Sequence, residues 1–242
     1  MIVTIANQRG GSGKTSTAAA LAQAAASMGR RTLAVDIDPQ ANLSFVLGAD
    51  TRRAGSFEAL TGGRPDVQHT AGGLDVIAGS WNLQTVVSSR GSARRLAAAL
   101  APFTAEYDLI IIDTPPTAGE LQYNALMASD KLVIPVLADI MSLQGLYQMA
   151  ETARQIQRSA PNLKIAGYVL TRQGGRSTLA RQMAETIEAR AAGLGIPRLG
   201  IIREAVALRE AQTLQRSLYE YAPGSKPAAD YLALLDSIAP QE

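Results

Sequence analysis

The chain has no cysteine, one histidine and few aromatics, which make up 5% of its 242 residues and include one tryptophan. Without cysteine there can be no disulfide, no thiolate nucleophile and no Cys-ligated zinc or iron–sulfur cluster. The one imidazole, His69, lies in "DVQHTAGG" and reads as an ordinary surface residue in a turn, which leaves little from which to build a Ser-His-Asp triad. No apolar run reaches ~18 residues free of charge, so no membrane span and no membrane partner is expected. No basic stretch or small-residue cleavage site precedes the first apolar run, and the expected localisation is cytoplasmic. Lysine is also scarce: four stand against nineteen arginines within a net charge of +2. A chain that uses arginine almost everywhere keeps a lysine at position 14.

What is abundant is aliphatic. Apolar residues make up 47% of the chain, enough for one sizeable α/β core with a parallel sheet covered on both faces. Strand-like runs are expected at Ile2–Ala6, Thr32–Asp36, Leu74–Ala78, Leu109–Asp113, Leu132–Leu137, Ile165–Thr171 and Leu199–Ile202. Helical patterns are expected at about Lys14–Met28, Ser92–Ala101, Leu121–Ala128, Leu143–Arg158, Thr178–Ala191 and Ala228–Ile238. Their alternation predicts βαβ units and a mostly parallel twisted sheet with helices on both faces. Segment 48–73 is the most loop-like stretch, and residues 1–242 read as one domain without an N-terminal helix-turn-helix extension.

In such sheets ligands gather at the carboxyl ends of the strands. The first strand ends in "NQRGGSGKTST", a glycine cluster that leads straight into an Ala-rich helix. Gly10, Gly11 and Gly13 permit positive φ and close backbone approach. The amides from Gly11 through Ser12, Gly13, Lys14 and Thr15 can form an anion nest at the helix start. Lys14 can then reach the β- and γ-phosphates, while the Thr15 hydroxyl can ligate Mg²⁺. The usual spacing wants a glycine five residues before Gly13, where this chain has Gln8. Two later strands end in acids. Asp36 closes "RTLAVD", with Asp38 two residues on and aligned by the period of a strand, and Asp113 closes "EYDLIIID" as a Walker B carboxylate would.

Taken in order, "NQRGGSGKTST", "VDIDPQANLS", "YDLIIIDTPP" and "ALREAQTLQRSLYEYAPGSKPAADYLAL" resemble the ParA/Soj-type partition ATPases, within the MinD-like deviant Walker A group of P-loop NTPases. That family's loop reads K-G-G-x-G-K-[ST] and lacks the earlier glycine, which accounts for Gln8. Its signature first lysine reaches the partner's ATP across a nucleotide-sandwiched dimer, and here that position holds Arg9. Arginine keeps the charge but carries it on a planar, bulkier fork. The resemblance therefore implies either an arginine acting in trans or a loss of the cross-dimer function.

By the same resemblance the cofactors are ATP and Mg²⁺. Gly10, Gly11, Ser12, Gly13, Lys14, Thr15 and Ser16 would hold phosphates, Thr15, Asp36 and Asp113 the metal shell, and Asp38 with Lys14 and Arg9 the hydrolytic step. Adenine contacts would come from Arg172 and from the "IREA" turn containing Arg203. The implied function is chromosome or plasmid segregation: an ATP-dependent homodimer, nonspecific binding of double-stranded DNA, and slow hydrolysis stimulated by a ParB-like partner on the nucleoid. Between Arg172 and Arg216 eight arginines stand against four glutamates, an excess of four that exceeds the net charge of the entire chain. Arg176, Arg181 and Arg209 are the candidate DNA contacts. Two alternatives stay open: a MinD-like positioning ATPase, which needs a basic amphipathic C-terminal helix where this chain reads "ADYLALLDSIAPQE", and a nucleotide-dependent scaffold with little turnover.

Overall fold

A computed structural model describes residues 1–86, 92–174 and 178–240. Eight strands form one sheet: β1 (Ile2–Ile5), β2 (Thr32–Asp36), β3 (Gln68–His69), β4 (Asp75–Ile77), β5 (Leu109–Asp113), β6 (Lys131–Val136), β7 (Lys164–Gln173) and β8 (Arg198–Arg203). Their spatial order is β3-β4-β2-β5-β1-β6-β7-β8. Every pairing is parallel except β3 with β4. The expected mostly parallel α/β sheet is what forms, and its central strands are buried on both faces, as "LIIID" of β5 shows.

Register places the chemistry. Asp113 sits level with Ile5 of β1 on one side and with Asp36 of β2 on the other. The glycine loop and two of the acids therefore emerge together at the carboxyl edge. Side chains of β5 alternate between the two faces. Leu109 and Ile111 join a core with α1 (Lys14–Ser27) and α10 (Lys226–Ile238). Ile110 and Ile112 join a second core with α4 (Arg95–Leu100) and α5 (Glu120–Ala128). A third cluster packs α6 (Ile140–Gln157) and α7 (Thr178–Gly193) against β6 and β7. The alanines of α1 let that helix lie close to the sheet, with Ala18 to Ala20, Ala22, Ala24 and Ala25 all buried.

Several elements depart from the sequence expectations. The loop-like 48–73 contains α3 (Ser56–Thr61) and β3. His69 is thus a strand residue, although still on the surface, with its Nδ1 2.8 Å from Asp75 Oδ1. Three short helices were not foreseen: α2 (Asn42–Leu47), α8 (Val206–Thr213) and α9 (Leu218–Tyr221). At four to eight residues they are too short to show a helical period. The helix expected at Ser92–Ala101 is a six-residue α4 flanked by 3-10 turns at Ser92–Arg94 and Ala101–Ala105. α6 begins three residues early because Asp139 caps it, accepting from the Ser142 amide at 2.6 Å.

Most of the apolar face of α10 packs inside the molecule: Tyr231, Leu234, Leu235 and Ile238 are buried in the core with α1, while Leu232 is exposed. No helix among the described residues is long and apolar enough to cross a membrane.

Candidate functional site

The loop between β1 and α1 is held from both sides before any ligand arrives. Asn7 is fully buried; its Nδ2 donates to the Pro135 carbonyl of β6 at 2.6 Å, and its Oδ1 accepts from the Arg9 amide at 3.0 Å. Across the loop, Thr171 Oγ1 of β7 donates to the Ser12 carbonyl at 2.8 Å. Gly11 and Gly13 take left-handed φ values of 74° and 89°, conformations that side chains rarely adopt. Gly13 is also the N-cap of α1 and supplies no side-chain acceptor, and the first turn carries no acid. The free amides of a 14-residue helix thus open toward the loop, an arrangement suited to an anion.

Gly145 of α6 supports this loop, although it is remote in sequence. A Cβ there would lie 2.5 Å from Asn7 Oδ1 and 3.1 Å from Arg9 Cβ. Asn7 cannot swing aside without breaking its two hydrogen bonds. Gly145→Ala should therefore lower nucleotide affinity roughly tenfold while the sheet stays folded. Parallel titration of nucleotide and thermal melting would check this, and unchanged affinity would show that the loop yields freely.

Lys14 is 7% exposed, and its Nζ donates to the Arg9 carbonyl at 3.1 Å. Burial lowers its pKa, while the charges of Asp113 and Asp38 oppose that shift. Thr15 Oγ1 donates to Asp113 Oδ2 at 2.7 Å. The other oxygen, Asp113 Oδ1, is buried without a partner among the described residues. Burial first, then the charge of Asp36, hold the Asp113 pKa well above the ordinary carboxylate range. A hydroxyl beside a buried carboxylate with one unpartnered oxygen fits Mg²⁺, whose charge would favour the ionised form of Asp113. Among the described residues no three His, Asp or Glu side chains form a metal cage. A cation here depends on oxygens that a ligand brings.

Asp36, expected in the metal shell, directs its oxygens elsewhere. Oδ2 accepts from the Ser44 amide at 2.8 Å and hydroxyl at 2.7 Å, and Oδ1 accepts from the Asp38 amide at 3.0 Å. Burial pushes its pKa to about 6 against those hydrogen bonds. Asp36 therefore anchors α2 and the Asp38 turn, and any metal role would pass through its neighbour Asp113. Gly79 completes this knot: its amide donates to Ser44 Oγ at 2.8 Å, and a Cβ would come within 2.9 Å of Asp36 Cγ. Asp38 is 6% exposed, and its Oδ1 accepts from the Gln40 amide at 2.9 Å.

Two clefts open over the loop. One is lined by Gly10, Gly11, Gly13, Lys14, Thr15 and Asp38 among others. The second runs beneath α8 and is lined by Ile202, Arg203, Leu208, Arg209, Gln212 and Tyr231 among others. Gly13, Ser16 and Arg172 belong to both, so the two form one continuous groove. Arg172 holds a left-handed φ of 52°, unusual for a non-glycine and a form of local strain found at functional sites.

Structure and expectation part over the remaining arginines. Arg203 lines the second cleft, but its guanidinium is clamped on Asp230, with Nη2 2.6 Å from Oδ1. Arg209 borders the same cleft and pairs with Glu204 at 3.6 Å. Arg181 is exposed on α7, and Arg176 lies outside the described residues. Sequence reasoning missed Gly79, Gly145 and Thr171, which reach the site from distant elements without a motif of their own, and it gave no role to Ser44 and Gln212, although both lie within the motifs quoted above.

A family model described as an AAA domain matches residues 1–165. The chromosome partitioning protein ParA of Myxococcus xanthus is 36% identical, covering 96% of this chain and 86% of its own length. The sporulation initiation inhibitor Soj of Bacillus subtilis is 35% identical, covering 98% of both chains. Among solved structures, the septum site-determining protein MinD of Pyrococcus horikoshii, complexed with Mg-ADP, superposes with a TM-score of 0.80 at 26% identity, over 98% of this chain and 95% of that one.

Proposed function

We propose a function from the premise that the chain belongs to the ParA/Soj family of partition ATPases: it is a single-domain, Mg²⁺-dependent ATPase that segregates a chromosome or plasmid. The observation that carries the reading is the uncapped α1 N-terminus behind a glycine loop, with Lys14 and the Thr15–Asp113 pair converging on it. Polyphosphate suits the amides and Lys14. When bound, Mg²⁺ would be held by Thr15 and Asp113 and would neutralise phosphate charge. Asp38, fixed by Gln40 and Asp36, orients the attacking water. Phosphoryl transfer relies mainly on positioning and charge, so a slow rate that waits for a partner suits this site.

In this cycle ATP closes two copies around the nucleotide, with Arg9 of each chain directed at the other's phosphates. The planar fork of Arg9 suits phosphate oxygens, and its Nε is buried without a partner here. The dimer would hold double-stranded DNA through Arg176, Arg181 and Arg209 without reading sequence, would associate with the nucleoid in the cytoplasm, and would be released when a ParB-like protein stimulates hydrolysis. Most of the α10 apolar face is buried in the core and Leu232 alone of its large apolar side chains is exposed, which disfavours the MinD-like alternative.

Size measurement by light scattering tests the cycle. With Mg²⁺ and a non-hydrolysable ATP analogue the mass should double, and the dimer alone should retain DNA, weakening steeply with salt through counterion release. A protein that stays monomeric would overturn the switch and leave a nucleotide holder. Single-turnover hydrolysis that stays negligible with DNA and partner present would favour the scaffold.

A further inference from the structure

Nine buried side-chain polar atoms lack a hydrogen-bond partner among the described residues. Three of them, Arg9 Nε, Ser12 Oγ and Asp113 Oδ1, belong to the phosphate loop and the strand end beside it, and a fourth, Gln212 Nε2 on α8, belongs to a residue that lines the groove. Buried polar groups are nearly always paired, so such a set marks where a ligand supplies the missing partners. The first three lie at the phosphate and metal end. Gln212 does not. It lines the second cleft, with Leu208, Ile202 and Tyr231, beyond the junction at Gly13, Ser16 and Arg172.

A nucleotide seated by its phosphates on the glycine loop would place its nucleoside in that second cleft, because Gly13, Ser16 and Arg172 border both clefts. Gln212 Oε1 is already engaged, accepting from Ser16 Oγ at 3.5 Å. Ser16 follows the phosphate-loop threonine directly, so this contact ties the amide plane to the loop. The Nε2 donor is what remains, and purine and ribose offer acceptors: ring nitrogens N3 and N7, and the sugar oxygens.

We propose that Gln212 is a nucleoside-reading residue whose amide Nε2 donates to an acceptor atom of the bound nucleoside. The inference rests on the nucleotide site proposed above. A site built around a donor rejects an analogue that lacks the acceptor, since the buried donor is then left unpaired.

The test is calorimetric titration of Mg²⁺-ADP, 7-deaza-ADP, 3-deaza-ADP and 2′-deoxy-ADP, with inorganic tripolyphosphate as a control, against the wild-type chain and Gln212→Leu. Gln212→Met serves as a second variant that keeps an unbranched side chain in α8. One analogue should bind the wild type about five- to tenfold more weakly than ADP. The variants should bind ADP more weakly by the same factor and no longer distinguish that analogue, while tripolyphosphate binds all three proteins alike. Equal affinity of the wild type for all four nucleotides, or variants that keep the wild-type discrimination, would overturn the proposal while leaving the phosphate site standing. Failure of the wild type to bind both ADP and tripolyphosphate would bring down the site and this inference together.

Discussion

Lys14→Ala should lower affinity for ATP by roughly 100-fold or more, the largest effect expected of any single change to the groove. The ammonium is nearly buried, and its one described hydrogen bond is to the Arg9 carbonyl. Burial has already cost it solvation and lowered its pKa. Bound phosphates would compensate with charge-assisted hydrogen bonds worth about 1.5–3 kcal/mol each, and two of these amount to 100-fold or more in affinity. Alanine also removes the cation that opposes Asp113, whose pKa should climb further and weaken the Mg²⁺ seat. Calorimetry of ATP with and without Mg²⁺ reads both effects. Affinity that survives the substitution would take the phosphates away from this loop.

Asp38→Ala should divide cleanly between binding and chemistry: ATP affinity within about threefold of wild type, and hydrolysis slowed by about 100-fold, in line with the loss of a positioned acid–base group. Asp38 lines the phosphate cleft with one oxygen held by Gln40. Asp36 holds the Asp38 backbone, so the alanine variant should keep the turn intact. Among the described residues no substitute base lines the phosphate cleft. Asp113 is directed at Thr15, and the one histidine pairs with Asp75 at the amino end of β4, across the sheet from the loop. By the cycle proposed here the variant should accumulate as an ATP-bound dimer. Single-turnover assays beside light scattering would show it, and normal turnover would move the water-positioning role to another residue.

Much of the architecture was legible because it is local. The strands β1, β2, β5 and β6 are short apolar runs ending in punctuation, and a glycine-rich strand-to-helix turn has few physical uses. The elements that escaped, α2, α3, α8, α9 and β3, are too short to impose a period. Their existence depends on partners such as Asp36, which grips α2 through Ser44.

The sequence by itself determined the chemistry that nearest neighbours in the chain can encode: glycines at 10, 11 and 13 that permit positive φ, a lysine and a threonine at the start of α1, and acids at the ends of β2 and β5. Tertiary structure alone decided which of these meet and in what state. It set Gly145 against Asn7, Thr171 against the Ser12 carbonyl and Gln212 beside Ser16, and it left Asp113 buried with an unpaired oxygen. The physical reason is reach. A backbone conformation is set within a few residues, whereas burial, orphaned hydrogen bonds and shifted pKa values arise only when separate segments of the chain exclude water from the same small volume.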